Sequence, residues 1–590
     1  MYIVKAKAPL TGIYASESET AQFAACELQY YIHQMTGCRL PFGCKGGNLI
    51  ILQIGADGAC HDGFRICVKK KRIIISANRE RGILYGVYAL LEKLGCRWFT
   101  PGKEYVPQKD ALCLEEGDII ASPDFETRIL MEESGYDWLR NGREPDAWME
   151  EAVEMIDWAA KNRINTFDVL LHEMILNKIP HLDKIARELK KRGMMLATGG
   201  HLVQGFVDKK LYETKPYFFI EKDGTRKPNG NLCCASEEVH ELILDKCKEI
   251  LRRLPDISIF HTWFADVASG DWCECVHCKS LTPVKQQFHI INRLASGLAG
   301  EFPNLKIDML FYHDTLEAQE LPEPASPNLL GMYAARERCY THNVNESDCG
   351  RNSGKYSNLT KLAKQFDTLI FEYYTDMILF NKMSICTPWQ ITSDLRAYRS
   401  LGVGRVSCLT FLRYTNWAYP VNLYTFARAS WDTNYRFADD CKSFCAYLYP
   451  GHGHIMENVF TQQERASAMF LTFCAYVDDC CDLRMIPNQP RDFHEGHIRR
   501  IQESAALLSS CLSQMECDGM IIEKEILKIT ILELQATCAS MTGDCDTAIE
   551  KKIEILEIIN RVPQNAKGIS GFWPFTVHLC KEQIDWLKGK

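Results

Sequence analysis

Residues 369–376 read Leu369-Ile370-Phe371-Glu372-Tyr373-Tyr374-Thr375-Asp376. A short apolar run that breaks abruptly into carboxylates and tyrosines describes a strand buried on both faces and ending in a polar mouth. With this strand set at Leu369–Tyr373, seven other segments have the same form: Thr127–Met131, Thr166–Leu171, Met195–Thr198, Ser258–Trp263, Ile307–Phe311, Leu329–Tyr333 and Val406–Phe411. Helical stretches separate them, the alternation expected of a parallel sheet. Eight such strands over roughly 300 residues predict an α/β fold, a (β/α)8 TIM barrel with insertions, whose chemistry sits on the loops after the strands' C-terminal ends.

The rest of the chain falls on either side of this barrel, taken as 123–435. Residues 1–122 predict a smaller α/β accessory domain. Ser16 and Glu19 are read as a capping box for a helix ending at Thr36-Gly37. Leu49–Ile54 is read as a buried strand, and Phe64–Val68 and Ile73–Ser76 as a hairpin around Lys69-Lys70-Lys71-Arg72. A second helix is expected from Arg81 to Leu94, stopped by Gly95, and Ala121-Ser122-Pro123-Asp124 reads as a linker. Residues 436–590 predict a helical domain with three apolar stripes: Ile501, Ala505, Leu508, Leu512, Met515; Ile522, Ile526, Ile529, Leu532; and Ile549, Ile553, Leu556, Ile559. Bundle packing is the simplest use of these stripes, and a homodimer contact the other.

The 590 residues carry 68 basic and 76 acidic side chains, a formal charge of −8, and are 46% hydrophobic. That balance excludes a disordered chain, a collagen-like repeat and a broadly basic nucleic-acid binder. No apolar run approaches the roughly 18 residues of a membrane span. Met1-Tyr2-Ile3-Val4-Lys5-Ala6-Lys7 lacks the apolar core of a secretory leader. The expectation is a cytoplasmic protein with neither a nucleic-acid nor a membrane partner.

The strand ends carry the candidate chemistry. They supply Glu132-Glu133, His172-Glu173, His201, Trp263 with Asp266, Tyr312-His313-Asp314, Arg336-Glu337-Arg338, Glu372 with Tyr373, and Arg413 to Trp417. Glycoside hydrolysis needs two carboxyl groups flanking the scissile bond, one protonated and one ionised. Asp266 and Glu372 are the expected pair, with Trp263, Tyr312, Tyr373 and Trp417 as stacking faces for sugar rings. Arg338, His201 and His172 are expected to bind substrate, the guanidinium suiting a carboxylate. The competing reading is that Asp266 caps a loop and Glu372 pairs with a barrel arginine.

Most of the 27 cysteines lie singly, as Cys26, Cys67, Cys408 and Cys445 do, and read as small reduced hydrophobes. Cys273, Cys275 and Cys278 are clustered, at spacing suited to zinc. Cys233 is the candidate fourth ligand of a structural zinc; a disulfide or plain packing are the alternatives. The chemistry itself requires no cofactor.

Arg81-Gly82-Ile83-Leu84-Tyr85-Gly86-Val87-Tyr88, with Leu91-Glu92 and Gly95-Cys96-Arg97-Trp98-Phe99, resembles the N-terminal domain of bacterial α-glucuronidases and the related domain of β-N-acetylhexosaminidases. Ala25-Cys26-Glu27-Leu28-Gln29-Tyr30-Tyr31 with Thr36-Gly37 resembles the accessory domain that precedes certain glycosidase barrels. Lys161 to Thr166, Gly199-Gly200-His201, Asp271 to Cys278, Arg338 to His342 and Glu372-Tyr373-Tyr374 resemble a large family of glycosidase-like bacterial proteins. The α-glucuronidase resemblance implies an accessory domain, a barrel and a helical domain. It also implies a general acid after strand four and carboxylate bases after strands six and seven. This sequence departs from those patterns: Asp266 stands where an α-glucuronidase has glutamate, and Val267 follows it where a hexosaminidase has an Asp-Glu pair. The expected function is hydrolysis of an oligosaccharide or glycoside by a two-carboxylate mechanism, with acidic and N-acetylated sugars as the candidate classes. The alternatives are a non-catalytic carbohydrate-binding barrel and a cysteine-zinc scaffold for protein partners.

Overall fold

The computed structural model describes the chain except for residues 44–46, 56–57, 134–144, 171–178, 267–270, 413–417, 475–494, 516–519, 562–571 and 590. Its centre is a closed parallel barrel of β1 (Thr127–Glu132), β2 (Thr166–Leu170), β3 (Met195–His201), β4 (Ile259–Trp263), β5 (Lys306–Phe311), β6 (Leu329–Tyr333), β7 (Asp367–Glu372) and β8 (Arg405–Thr410). Each strand pairs with the next, and β8 closes on β1 from Thr127↔Arg405 to Glu132↔Thr410. The strands are buried almost throughout, so they read as apolar runs without alternation.

One strand is longer than its sequence suggests. Gly199 and Gly200 look like a stop after Thr198, yet β3 continues through them to His201. Both have left-handed φ values, 129° and 140°. A Cβ on Gly199 would lie 2.3 Å from the His261 carbonyl oxygen on β4, so only glycine lets the two backbones approach this closely. Gly199→Ala is expected to cost more than about 1 kcal/mol, because strain and overlap act together. Urea unfolding checks this, and an unchanged midpoint would refute the close-approach argument.

The accessory region is a five-stranded mixed sheet in the order Gly117–Ala121, Phe64–Lys69, Arg72–Ala77, Asn48–Ile54, Thr11–Ala15, with helices Glu19–Thr36 and Glu80–Leu94. The hairpin and both glycine stops are where the sequence puts them, with Gly37 and Gly95 left-handed. The helix cap is corrected: Ser18, not Ser16, accepts from the Ala21 amide at 3.2 Å. Ala121 is no linker either, since it ends the edge strand opposite Phe64.

Two carboxylates, the buried Asp62 and the half-buried Glu92, fasten this sheet and its helix to the barrel. Asp62 accepts from Arg81 Nε at 2.6 Å, Arg128 Nη2 of β1 at 3.0 Å and Asn165 Nδ2 at 2.6 Å. Glu92 accepts from Arg163 and, at 2.7 Å, from Arg428. Burial opposes ionisation of both. The guanidiniums prevail and hold each pKa at about 2, down from 3.8 and 4.5. Groups depressed in the folded state stabilise it above their unfolded pKa and lose that contribution as pH falls through the folded one. Asp62→Asn with Glu92→Gln is therefore expected to flatten the fall in stability between pH 5 and pH 2, by on the order of 2–3 kcal/mol per site. Urea midpoints across that range test it; a double variant as acid-labile as the parent contradicts it.

Beyond the barrel come helices Phe437–Leu448, Gly453–Cys474, Glu495–Leu512, Ile521–Met541, Cys545–Arg561 and Phe572–Lys588. Ile501, Ala505, Leu508 and Met515 are buried as the first stripe requires, as are Ile526, Ile529 and Leu532 of the second. The third stripe is borne out in part: Ile559 is buried and Ile549 and Leu556 pack against the core, but Ile553 is exposed, and Ala548, Lys552, Ile555 and Ile558 also face inward. Lys552 goes in because Glu533 awaits it. Glu533 also meets Lys382 at 3.1 Å, and Gln583 donates to Asn381 at 3.1 Å. A buried polar bridge thus joins these helices to the β7–β8 segment. Among the lone cysteines, Cys408 and Cys445 are buried as expected, whereas Cys26 is exposed. No helix of the described residues is long and apolar enough to cross a membrane.

Candidate active site

Side chains alternate along a strand, so one contact sets the parity of each. His261 of β4 bonds through Nδ1 to Asp308 of β5 at 2.5 Å and through Nε2 to Asp168 of β2 at 2.7 Å. All three are fully buried and point to the barrel axis. Burial favours neutral imidazole, but the two carboxylates overcome it and raise the His261 pKa to about 10. Trp263, two residues on, faces the same way: its Nε1 donates to Asp308 Oδ1 at 3.1 Å, and its ring stacks with Phe371 of β7 at 5.9 Å. Trp263 connects this layer to His201, whose ring it meets edge-on at 5.1 Å.

Phe371 facing inward turns Glu372 outward. Its carboxylate accepts from the Tyr398 hydroxyl on helix Pro388–Ser400 and from Arg338 Nη2 at 3.1 Å. Arg338 also donates to Asp394 of that helix at 2.7 Å and lies 4.1 Å over the Tyr340 ring. Glu372 and Arg338 are each 2% exposed. The expected mouth-facing Glu372 and substrate-binding Arg338 are corrected on this point. They form a buried ion pair between barrel and helix, because a charge on the outward parity of β7 can be satisfied only there. Asp394 completes the cluster; burial, with the Glu372 charge adding and Arg338 opposing, lifts its pKa to about 6.

The mouth holds a different set. His201 hydrogen-bonds the Phe264 carbonyl, packs edge-on against Trp263 at 5.1 Å, and brings Nε2 to 4.0 Å from Asp266. The Asp266 side chain is 52% exposed. Tyr312 lies across the cleft that His201, Asn231, Trp272 and Asp314 help to line. Burial raises the Tyr312 pKa well above its usual value; Arg336 opposes this, and Tyr373, Asp266 and Glu337 add to it. The His313 ring packs on Tyr312 with centroids 3.5 Å apart. Tyr373 stacks on Phe371 at 4.4 Å, with the Arg336 guanidinium 5.8 Å over its ring, and Arg336 donates to Asp376 at 2.9 Å.

Glu337 stands where the α-glucuronidase resemblance implies a base after strand six, although Asp266 and Glu372 are the expected pair, and Asn231 is not marked by the sequence. Glu337 Oε2 is 3.6 Å from His313 Nδ1, while Oε1 has no hydrogen-bond partner among the described residues. Burial opposes its ionisation, but His313 and Arg336 hold its pKa below the ordinary carboxylate value. Asn231 accepts from the Ala265 amide at 2.9 Å, leaving Nδ2 buried without a partner among the described residues. The position of Glu337 after strand six is visible in the sequence, but the two flanking arginines disguise it as a structural ion pair. Nothing local marks Asn231. His172 and Trp417 lie outside the described residues.

Two donor groupings stand nearby. The Sγ atoms of Cys233, Cys273, Cys275 and Cys278 all lie within 4.8 Å of one another, as do the donor atoms of Cys339, His342 and Cys349.

A (β/α)8 barrel with an accessory sheet and an aromatic, carboxylate-bearing mouth defines the class of fold. The chain belongs to the family described as domain of unknown function DUF4838, whose model matches residues 98–454. No curated protein matches it. Among solved structures it is similar to a GH138 enzyme described as targeting pectin rhamnogalacturonan II, at 11% identity and a TM-score of 0.61, covering 93% of this chain and 73% of that one. It is also similar to CpGH84B, at 9% identity and a TM-score of 0.53, covering 93% and 92%. The GH20 β-N-acetylhexosaminidase of Streptomyces coelicolor A3(2) aligns at 14% identity and a TM-score of 0.50, covering 76% and 92%. At these identities the likeness is one of fold.

Proposed function

We propose that this protein is a glycoside hydrolase that cleaves an oligosaccharide or glycoside at the barrel mouth, with Asp266 and Glu337 as its two carboxyl groups. One arrangement carries the reading: each carboxylate stands against an imidazole at the edge of the cleft that His201 and Tyr312 line, Asp266 4.0 Å from His201 and Glu337 3.6 Å from His313, whose ring packs on Tyr312. Glu337, held ionised by His313 and Arg336, suits the base or nucleophile. Asp266, beside His201, is the proton donor. The Asn231 amide and His201 offer hydrogen bonds to a hydroxyl-rich, carboxylated or N-acetylated ring. The fold class of the similar structures supports the reading by analogy only. A cytoplasmic location belongs to the same proposal.

A panel of aryl glycosides, uronides and N-acetylhexosaminides tests it, with Asp266→Asn as control. Turnover that Asp266→Asn abolishes supports the assignment. Sugar binding without turnover by the parent protein establishes instead the non-catalytic carbohydrate-binding barrel. In a sugar-bound crystal, a carboxyl separation of about 5–5.5 Å would indicate retention and about 6.5–9.5 Å inversion.

A further inference from the structure

We propose that Cys233, Cys273, Cys275 and Cys278 bind one zinc ion as four thiolates, stapling the β3 loop to the β4 loop beside the cleft. Three of the four come from one short turn, Cys273 to Cys278, and the fourth from a segment 40 residues earlier in the chain. The fold nevertheless brings all four sulfurs together in a buried pocket.

The spacing argues for a metal. Tetrahedral zinc with Zn–S bonds of about 2.3 Å puts its sulfurs about 3.8 Å apart. Cys233 Sγ lies 3.8 Å from Cys275 Sγ and 3.7 Å from Cys278 Sγ. A disulfide needs about 2.05 Å. Plain packing sets no reason for four sulfurs from two loops to share one centre. The surroundings also suit thiolates. The Glu221 amide points at Cys273 Sγ from 3.4 Å, and Arg226 Nη1 from 3.6 Å, so an N–H donor and a cation face a cluster that carries excess negative charge with zinc bound. Gln286, at the start of the helix Pro283–Leu298, holds the turn from behind: its Oε1 accepts from the Cys273 amide, and its Nε2 donates to the Cys273 carbonyl, both at 3.0 Å.

With every position taken by sulfur, the ion has no open site for water and does no chemistry. Its effect is positional. Asn231 is two residues before Cys233, and Trp272 directly precedes Cys273; both line the cleft. The staple therefore fixes one wall of the mouth whatever the substrate is, and it stands independently of the proposed hydrolysis. Cys234 is the informative neighbour. Its Sγ is 3.5 Å from Cys278 Sγ, yet it does not share the common centre.

The test uses the full chain purified under reducing conditions. The expected result is one zinc per chain by elemental analysis. Cobalt(II) exchanged into the site should show the intense sulfur-to-metal charge-transfer and ligand-field bands of tetrahedral thiolate coordination. Cys233→Ser should lose stoichiometric zinc, and Cys234→Ser should keep it. Folded parent protein that takes up neither zinc nor cobalt overturns the proposal. So do Cys–Cys linkages within the cluster found by mass spectrometry of freshly isolated protein. Loss of metal from Cys234→Ser but not from Cys233→Ser overturns the ligand assignment. If Cys233→Ser does not fold, the cobalt spectrum of the parent decides.

Discussion

His261→Leu is expected to destabilise the barrel by about 3–5 kcal/mol, the usual loss when one member of a buried ion group is removed and its partners remain. Asp168 and Asp308 would then face each other across the barrel interior with no counter-charge. Asp168 has no slack, since its other oxygen, Oδ1, lacks a partner among the described residues. The pH dependence of the parent protein follows from the same contact. The His261 pKa rises from 6.5 to about 10 on folding. A group raised in this way contributes fully below its unfolded pKa, and that contribution is lost as pH rises through the folded one. The parent is therefore expected to lose stability from about pH 7 towards pH 10, and His261→Leu to lose much less over that range. Urea unfolding followed by circular dichroism measures both effects. A pH 7 loss below about 1 kcal/mol, or an alkaline limb identical in the two proteins, would show that imidazolium does not hold the two carboxylates together.

The barrel was legible because parallel strands buried on both faces leave a coarse signature, an apolar run followed by a polar break. Leu369-Ile370-Phe371 announces β7 whichever way its side chains point. The same feature hides parity. With no polar–apolar alternation to read, nothing local told that Phe371 faces the axis and Glu372 the helix. Functional assignment in such a barrel is a question of parity, so strand detection outran site detection. His261 shows the converse: an imidazole inside an apolar strand gains its meaning only from Asp168 and Asp308, 93 and 47 residues away in the chain. Long-range pairs also explain why the charged Lys552 lies buried in the third helical stripe while its neighbour Ile553 is exposed: Glu533 and Gln583 are there to meet it. The cysteine turn is different: Cys233 is singled out in the sequence because it precedes the helix leading into β4, and the fold brings its sulfur within 4.8 Å of the three sulfurs of the turn.

Glu337→Gln is expected to reduce turnover on a cleaved glycoside by about 10²–10⁴-fold, the range of a lost acid–base group, with folding intact. The amide keeps the shape but loses the charge that faces His313 at 3.6 Å, and it can neither take a proton nor form a glycosyl ester. Glu372→Gln is expected to behave in the opposite way. It weakens the pairing with Arg338 and the Tyr398 hydroxyl, leaves the Arg338 charge less compensated, and so lowers the unfolding midpoint while sparing turnover per folded molecule. The pH profile separates the roles further. Because His313 and Arg336 hold the Glu337 pKa below its ordinary value, the acid limb of kcat/KM should fall below the usual carboxylate range and disappear with Glu337→Gln. Kinetics and thermal unfolding of the two variants, side by side, decide between them. Normal turnover in Glu337→Gln with a large loss in folded Glu372→Gln would return the catalytic role to Glu372, and would require the β7 end to turn its carboxylate into the mouth.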